Sequence, residues 1–218
     1  DIQTADPYAS KNVLAVAFDG GSSDYSNLIN TGSTKKSITE NTSSGETMEY
    51  RNFYLSSYKF DGSNDVVYAA DSTEFTMGGG DWTIECWIRR RRVDTDEWFL
   101  VQGDGTGANT PFGLHIDPST NYLEGRARSD SSGQIDFAGT TPMQTELWYH
   151  CALVRDSSTL RLFLNGNQEN TNAIAGTLVD STGPVCMGAL TDSGSAATSC
   201  YMQDVRIYKG IAKYTVPF

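Results

Sequence analysis

The sequence predicts an all-β protein, an antiparallel sandwich or barrel, from three observations. Short runs rich in Val, Ile, Phe, Tyr and Trp recur along the 218 residues, and Gly, Asn, Asp and Ser separate them. Almost no stretch has the apolar spacing of a helix. The 21 glycines suit a chain in which many turns connect short strands. A chain of this length buries roughly 70% of its unfolded surface, so we expect a sizeable core.

The predicted strands follow one another along the chain. They lie near residues 13–18, 58–61, 65–69, 82–89, 97–102, 112–116, 121–128, 134–138, 147–155, 160–165, 184–189 and 200–208. A single helical turn is expected at "KGIAKYT", residues 209–215. The polar stretch at about 20–51 is predicted to be a long loop with one or two marginal strands, inside one domain that spans 1–218. A flexible linker is the alternative for this stretch.

The hairpin at residues 147–168 has two unlike strands. In the second strand, Leu160, Leu162 and Leu164 alternate with polar or aromatic residues. The first strand is apolar on both faces, which leaves open what its second face contacts. Asn165 and Gly166 between the hairpin strands suit a type I′ turn, because both central positions of that turn need positive φ.

The charge balance limits the classes of partner. The chain has 16 Lys and Arg against 27 Asp and Glu, which gives a formal charge of −11. An acidic surface repels phosphate backbones, so we expect no nucleic-acid partner. No run approaches the ~20 apolar residues that span a bilayer, and we expect no membrane insertion. The first residue is Asp and no basic-then-apolar leader follows, so we interpret the chain as an excised or processed segment.

The four cysteines lack any CxxC spacing, which argues against a zinc site. Cys86 and Cys151 lie inside strand patterns and are predicted to pack as small hydrophobic residues. Cys186 and Cys200 flank a loop rich in Gly, Ser and Ala, and the sequence leaves open whether they form a disulfide.

Four stretches resemble, in order, the concanavalin A-like lectin/glucanase superfamily and, more narrowly, its laminin-G-like branch. They are "VLAVAFDGGSSDYS" (13–26), "YKFDGSNDVVYAADSTEFTMGGGDWTIECWIRR" (58–90), "LWYHCALVRDSSTLRLFLNGNQ" (147–168) and "YMQDVRIYKGIAKYTVPF" (201–218). The closing "DVRIYKGIAKYT" is similar to ends often seen in modules of phage and marine viral structural proteins. The resemblance implies a jelly-roll sandwich of two curved antiparallel sheets.

The implied fold offers two explanations for the apolar first strand of the hairpin. A central strand of such a sandwich packs one face on the opposing sheet. Its other face is then either covered, for which the 20–51 loop is long enough, or left open as a binding surface for a partner. We expect it to be covered.

No catalytic residues are predicted. A glucanase of this fold is expected to carry paired carboxylates at i and i+2 of one strand, where they share acid and nucleophile roles. Glu85 stands alone, and the only such pair, Asp94 and Asp96, lies where a loop enters a strand. His115 and His150 are predicted to be packed or hydrogen-bonded sheet residues. We therefore expect a protein that is not an enzyme.

The resemblance also implies a possible calcium ion, because related laminin-G-like modules often carry one. Asp19 and Asp24 after the first strand converge with Asp204 in the last strand if the terminal strands are neighbours. Ca²⁺ takes six to eight oxygen ligands, which such loops supply. The usual paired "DDVRI" is "QDVRI" here, with Gln203 in place of one acid. In the alternative, Asp19 and Asp24 cap turns and Asp204 pairs with a nearby Arg.

The run "RRRR" at 89–92 has two interpretations. It binds anionic glycans or an acidic partner through its guanidinium groups, or it is a strand end whose charge is neutralised by Asp94, Asp96 and Glu97. The second is the simpler, since adjacent runs of opposite sign commonly cancel.

Sugar binding in sandwich lectins uses an aromatic ring against the pyranose and polar groups for its hydroxyls. The loop candidates are Trp98, Asp104, Asn109, Asn121 and Tyr122. Trp82, Trp87 and Trp148 fit core positions better.

These observations predict a non-catalytic recognition module that binds carbohydrate on a virion, phage tail fibre or extracellular surface appendage. The alternative is a virion structural or decoration protein that acts through protein–protein contacts, homo-oligomer contacts included. A glycoside hydrolase is a remote third hypothesis.

Overall fold

The computed structural model describes residues 6–43, 45–93 and 95–218. The strands of these residues are β1 (Asn12–Val16), β2 (Ile38–Asn41), β3 (Glu46–Thr47), β4 (Ser57–Asp61), β5 (Val66–Ala69), β6 (Trp82–Arg90), β7 (Glu97–Gln102), β8 (Phe112–Ile116), β9 (Tyr122–Ser129), β10 (Gly133–Pro142), β11 (Trp148–Asp156), β12 (Thr159–Leu164), β13 (Asn167–Ala173), β14 (Val185–Met187) and β15 (Ser199–Lys209). One helical turn, α1 (Ser26–Ile29), and three 3-10 turns at Ala9–Lys11, Thr73–Phe75 and Gly107–Asn109 complete the elements.

The strands form two antiparallel sheets. The eight-stranded sheet has the order β13-β12-β11-β6-β15-β4-β3, with β1 also paired to β15. The seven-stranded sheet has the order β10-β9-β8-β7-β14-β5-β2. Both sheets contribute to one apolar core, for example Ile84 and Leu153 from the first and Leu114 and Leu123 from the second. The predicted jelly-roll β-sandwich is confirmed.

The hairpin of β11 and β12 has the predicted geometry. Leu160, Leu162 and Leu164 are buried in the core between the sheets. Asn165 has φ 50° and Gly166 has φ 79°, as the predicted turn requires.

The polar 20–51 stretch contains α1, β2 and β3, as a long loop with marginal strands. β2 pairs with β5 and β3 pairs with β4, so this stretch adds an edge strand to each sheet. The strand β13 was not predicted, because its seven residues are nearly all exposed and polar and have no apolar alternation.

The predicted helical turn at 209–215 is wrong. After β15 the chain runs as an irregular segment, residues 210–218, across the outer face of the eight-stranded sheet. The Thr83 hydroxyl donates to the Ile211 carbonyl (3.1 Å) and accepts from the Lys213 amide (3.0 Å). These backbone groups therefore bond to the sheet, which replaces the bonds that a helical turn would make.

The 210–218 segment covers much of the second face of the hairpin. Ala212 and Tyr214 pack on Ala152, Val154 and Phe163. The 20–51 loop was expected to cover this face, but only its last residues and those just after it lie on the sheet. Tyr50 lies over Arg89, and Phe53 packs against Trp87, on the neighbouring strand β6. The prediction that the face is covered holds in the main, but a different segment provides most of the cover.

A β-bulge interrupts β15 at Asp204, which has φ 50°. Gln203 is opposite Trp87 of β6, and Arg206 is opposite Glu85. The two residues between them in β15, Asp204 and Val205, therefore face the single residue Cys86 of β6. Val205 and Ile207 consequently point into the core, while Arg206 lies on the outer face.

The four cysteines are buried and free. Cys86, Cys151 and Cys200 belong to the main core, as predicted for the first two, whereas Cys186 belongs to a second apolar cluster. Cys186 and Cys200 are thus not bridged in this structure. Burial raises the pKa of the Cys186 thiol to about 12. Within the described part of the chain, no helix has the length and apolarity to cross a bilayer.

Candidate functional site

A groove of about 740 Å³ opens on the outer face of the eight-stranded sheet, beside the 210–218 segment. Its lining combines aromatic with charged and polar side chains. The aromatic side chains are Trp87, Trp148, Tyr214 and Phe218, and the polar ones are Asp6, Glu85, His150, Asn165, Asp204, Arg206 and Lys213.

Glu85 forms a buried anionic centre beneath the groove. It is 4% exposed and accepts hydrogen bonds from Lys213 Nζ (2.5 Å) and the Tyr214 hydroxyl (2.7 Å). The Nε2 of His150 lies 3.3 Å from the second Glu85 oxygen. Burial acts to raise the pKa of Glu85, but the hydrogen bond from His150 and the charge of Lys213 outweigh it and lower the pKa to about 2. Glu85 therefore stays ionised at neutral pH.

Arg206 forms the second charged centre. Its Nε donates to Asp204 (2.8 Å) and its Nη1 to Asp6 (3.3 Å). The Tyr208 hydroxyl also donates to Asp6 (2.6 Å). The bulge of β15 places this cluster on the groove side of the sheet, next to Glu85.

Trp148 differs from the other aromatic residues of the groove. Trp87 contacts the rings of Phe53 and His150, with centroids 5.5 Å and 5.2 Å away. Tyr214 and Phe218 are stacked on each other at 3.6 Å. Trp148 is half-buried and, within the described residues, stacks on no other ring. Its indole is thus an aromatic surface of the groove that no other ring of the described residues covers.

The turn between β12 and β13 forms one rim of the groove. The Oδ1 of Asn165 accepts from the His150 amide (2.8 Å), which fixes the side chain at the rim. In the described residues its Nδ2 has no partner, and Asn165 is exposed. The groove thus combines an aromatic platform with hydrogen-bonding groups, the combination that orients polar small molecules in protein pockets.

Acid–base chemistry is poorly supported by these groups. A glycosidase needs one carboxyl group with a raised pKa as proton donor. The pKa of Glu85 is lowered, and Asp204 is paired with Arg206. The groove is suited to holding a ligand rather than to protonating one.

The five predicted sugar-binding residues do not form one surface. Asp104 and Asn109 meet in the loop after β7, where Asn109 Nδ2 donates to Asp104 (2.7 Å). Asn121 and Tyr122 lie at the other end of β8, which is five residues or roughly 16 Å long. Asn121 accepts from Arg90 (3.2 Å).

Trp98 is not a rim aromatic. It is 2% exposed, stacks on His115 with a centroid distance of 4.1 Å, and lies under the guanidinium of Arg126. His115 itself is packed, with Glu124 3.3 Å from its Nε2. A direct role of Trp98 in stacking on a sugar is incompatible with this burial.

The candidate calcium ligands Asp19, Asp24 and Asp204 bind separate partners, although β1 and β15 are neighbours as predicted. Asp24 accepts four hydrogen bonds, from the amides of Ala15, Ser26 and Lys36 and from the Ser26 hydroxyl. Among the described residues, no group of three His, Cys, Asp or Glu is arranged to hold a metal ion. These donors, as placed, do not fit a calcium site.

Asp19 and Asp204 have the roles that the alternative to a calcium site predicted, a turn cap and an ion pair with arginine. Asp19 caps the turn before β4 by accepting from the amides of Leu55 (3.0 Å) and Ser56 (3.1 Å). Asp204 pairs with Arg206.

The arginine run is neutralised internally, mainly by Glu97. Glu97 is buried and accepts from Nε of Arg90 (3.1 Å) and Nε of Arg92 (2.9 Å). Asp96 instead accepts from the Trp98 indole (3.3 Å), and Asp94 lies outside the described residues.

The groove was not predicted from the sequence. Trp82 is fully buried as predicted, but Trp87 and Trp148 are half-buried groove residues rather than core residues. The alternation of β6 indicates that Trp87 lies on a polar face, because it places Trp87 on the same side of the strand as Glu85 and Arg89. Lys213 and Tyr214 had no such signal, since they lie in an irregular segment.

Residues 61–212 match the laminin-G family model, described as the concanavalin A-like lectin/glucanases superfamily. The match includes the FDGSND segment from Asp61 onward and all strands from β5 to β15. Among curated proteins, no sequence matches the chain.

Solved structures with similar folds include toxin binding domains. The binding domain of Paraclostridial Mosquitocidal Protein 1 superposes with a TM-score of 0.70 at 14% identity, over 94% of this chain and 50% of that chain. A structure of botulinum neurotoxin type C, a toxin whose cell entry is described as dependent on two ganglioside molecules, gives a TM-score of 0.68 at 12% identity, over 93% of this chain and 49% of that chain.

The binding domain of botulinum neurotoxin DC in complex with rat synaptotagmin II gives a TM-score of 0.69 at 12% identity, over 94% and 49%. Identities this low show a shared fold. The chain spans about half the length of these solved chains.

Proposed function

We propose that this chain, which belongs to the concanavalin A-like lectin/glucanase superfamily, is a non-catalytic carbohydrate-binding module. The observation that carries the proposal is the groove on the eight-stranded sheet, with Trp148 as its unstacked aromatic platform. A pyranose places its apolar face on such a ring and its hydroxyls toward polar neighbours. The exposed Asn165 amide at the rim of the groove supplies such a neighbour. The similar toxin domains, one of them from a neurotoxin described as interacting with gangliosides, support a binding role.

Binding to a glycan array, followed by calorimetry on the hits, tests the proposal. We expect millimolar-to-micromolar affinity, and Trp148→Ala should weaken it at least about tenfold, since truncating a buried aromatic anchor commonly costs more than 1.4 kcal/mol. Tyr122→Ala is the matched control, because Tyr122 lies on β9 of the other sheet. An array without hits would reject carbohydrate binding. Loss of affinity in Tyr122→Ala alone would move the site to the loops at the ends of β8.

The absence of catalysis is part of the same proposal. A lowered pKa of Glu85 and the Asp204–Arg206 pair support it. Release of new reducing ends from any bound oligosaccharide would contradict it.

A second candidate function is contact with another protein, which an exposed apolar segment favours. Met48 and Leu55 are 74% and 72% exposed, and Phe53 is 49% exposed. Large exposed apolar side chains grouped in one segment are typical of interaction surfaces. The similar neurotoxin domain in complex with synaptotagmin II supports a protein partner in this fold. Light scattering tests the case in which the partner is a second copy of the chain.

The proposal places the module on an extracellular surface or on a virion appendage such as a phage tail fibre. Its support is the similarity of "DVRIYKGIAKYT" to ends of viral structural modules. Fibre or coiled-coil repeats next to this segment in the parent protein would support the viral location, and their absence there would favour a different surface protein.

A further inference from the structure

We infer that the groove takes uncharged sugar residues and discriminates against sialylated or sulfated ones. The inference rests on the proposed carbohydrate function and concerns the charge of the ligand. It follows from the ion pairs that the cationic side chains of the groove already form with carboxylates of this chain.

The groove has two cationic side chains, Lys213 and Arg206, among its described lining residues. Lys213 Nζ is 2.5 Å from a Glu85 oxygen, and it is 15% exposed. Arg206 is 12% exposed and contacts both Asp204 and Asp6. Three carboxylates therefore hold two cations, and neither cation is left for an anionic ligand.

An anionic group in the groove would meet an unfavourable field. Lys213 and Arg206 already contact Glu85, Asp204 and Asp6, so an anionic group that approaches either cation also approaches these carboxylates. If the anionic group displaced one of them, the displaced carboxylate would remain nearby without a partner, and an uncompensated charge in a poorly solvated site is strongly unfavourable. The groups left for a ligand, the Trp148 ring and the Asn165 amide, are uncharged.

The arginine run does not supply the missing charge. Arg90 and Arg92 are bound by Glu97, and Arg89 pairs with Glu146 at 2.5 Å. Arg91 is exposed and lies over the Tyr201 ring at 5.6 Å, and it does not line the groove. The chain as a whole carries a formal charge of −11, so its long-range field also opposes an anionic glycan.

A glycan array that contains each neutral glycan beside its sialylated and sulfated forms tests the inference. Each hit is then measured by calorimetry at low ionic strength, where electrostatic effects are largest. We expect the neutral form to bind at least tenfold more tightly than the anionic form of the same glycan. Equal or tighter binding of the anionic forms would overturn the inference and leave carbohydrate binding intact. No binding to any glycan would reject the proposed function itself.

The variant Asp204→Asn tests the physical cause. It removes one of the three carboxylates but keeps an amide that can accept from Arg206, and Asn also tolerates the positive φ of this position. We expect the ratio of the affinities for the neutral and anionic forms of the same glycan to fall at least threefold in this variant. Asp156→Asn is the matched control, because it makes the same charge change at an ion pair with Arg161 outside the groove. An unchanged preference in Asp204→Asn, or an equal change in Asp156→Asn, would contradict the assigned cause.

Discussion

At the scale of single residues, two buried glutamates form ion pairs with most of the basic side chains near them. Glu97 on the seven-stranded sheet binds Arg90 and Arg92, and it also accepts from the Ser199 amide (2.7 Å) at the start of β15. It thus joins the two sheets at one end. Glu85 holds Lys213 and Tyr214 of the 210–218 segment against the sheet. In both places a carboxylate that is satisfied by several donors stabilises a connection between elements.

The lowered pKa of Glu85 gives a pH-dependent prediction. Its usual pKa is 4.5 and the folded value is about 2, so the ionised form stabilises the fold above pH 4.5. We expect Glu85→Gln to lower the free energy of unfolding at neutral pH by roughly 1–3 kcal/mol. The difference from the parent chain should shrink as the pH falls from 4.5 to 2. Urea unfolding across this pH range measures it.

The control for Glu85→Gln is Glu146→Gln, which removes an ion pair with Arg89 in which the Glu146 side chain is 52% exposed. Exposed pairs contribute little, so a change below about 1 kcal/mol is expected. A pH-independent difference for Glu85→Gln would show that its carboxylate does not stabilise the fold by charge.

At the scale of elements, strands with alternating or continuous apolar residues were predictable and the irregular 210–218 segment was not. The pattern of Leu160, Leu162 and Leu164 predicts β12, because alternation is a direct result of burying one face. No local pattern indicates that the 210–218 segment lies flat on the sheet. Its position depends on Thr83, Glu85 and Gly166, which are distant in sequence.

Gly166 anchors the far end of that segment. Its carbonyl accepts from the Phe218 amide (3.0 Å), and a Cβ at Gly166 would overlap the Phe218 carbonyl oxygen. We expect Gly166→Ala to displace Phe218 and to speed hydrogen exchange of its amide at least tenfold. The positive φ of 79° adds strain of about 1 kcal/mol in the same variant.

Gly133→Ala separates these two effects. Gly133 has a similar φ of 70°, but a Cβ at this position would have no atom within 4 Å. The variant should share the strain and leave the exchange of the Phe218 amide unchanged. Equal exchange rates in the two variants would show that the contact at Gly166 does not hold the segment.

At the scale of the whole molecule, the fold followed from the sequence while the site did not. The order of the FDGSND, DWTIE and LNG segments and the strand patterns predicted two packed sheets, and both are present. The binding residues were sought in loops, whereas the groove lies on a sheet face. Its lining residues come from the start of the chain, β6, β11, the turn after β12, β15 and the 210–218 segment, which only the strand order brings together.

The metal content of the molecule can be tested by thermal unfolding with added Ca²⁺ and with a chelator. We expect the same Tm in both, because Asp24 is already saturated with donors and Asp204 is paired with Arg206. An ion bound to the folded state would raise Tm, and the increase would continue with the logarithm of the Ca²⁺ concentration above its Kd. A higher Tm with Ca²⁺ would contradict the expectation and show that the folded chain binds the ion.

The bulge at Asp204 allows both halves of the final strand to bury their apolar residues. Cys200 and Met202 before the bulge and Val205 and Ile207 after it all belong to the core, although Met202 and Val205 are three positions apart and would point to opposite faces of a regular strand. Deleting Asp204 would leave Val205 alone opposite Cys86 and restore regular alternation, so the residues on either side would keep their faces. A single-codon deletion at this position is therefore expected to remove the Asp204–Arg206 ion pair and to leave the core intact.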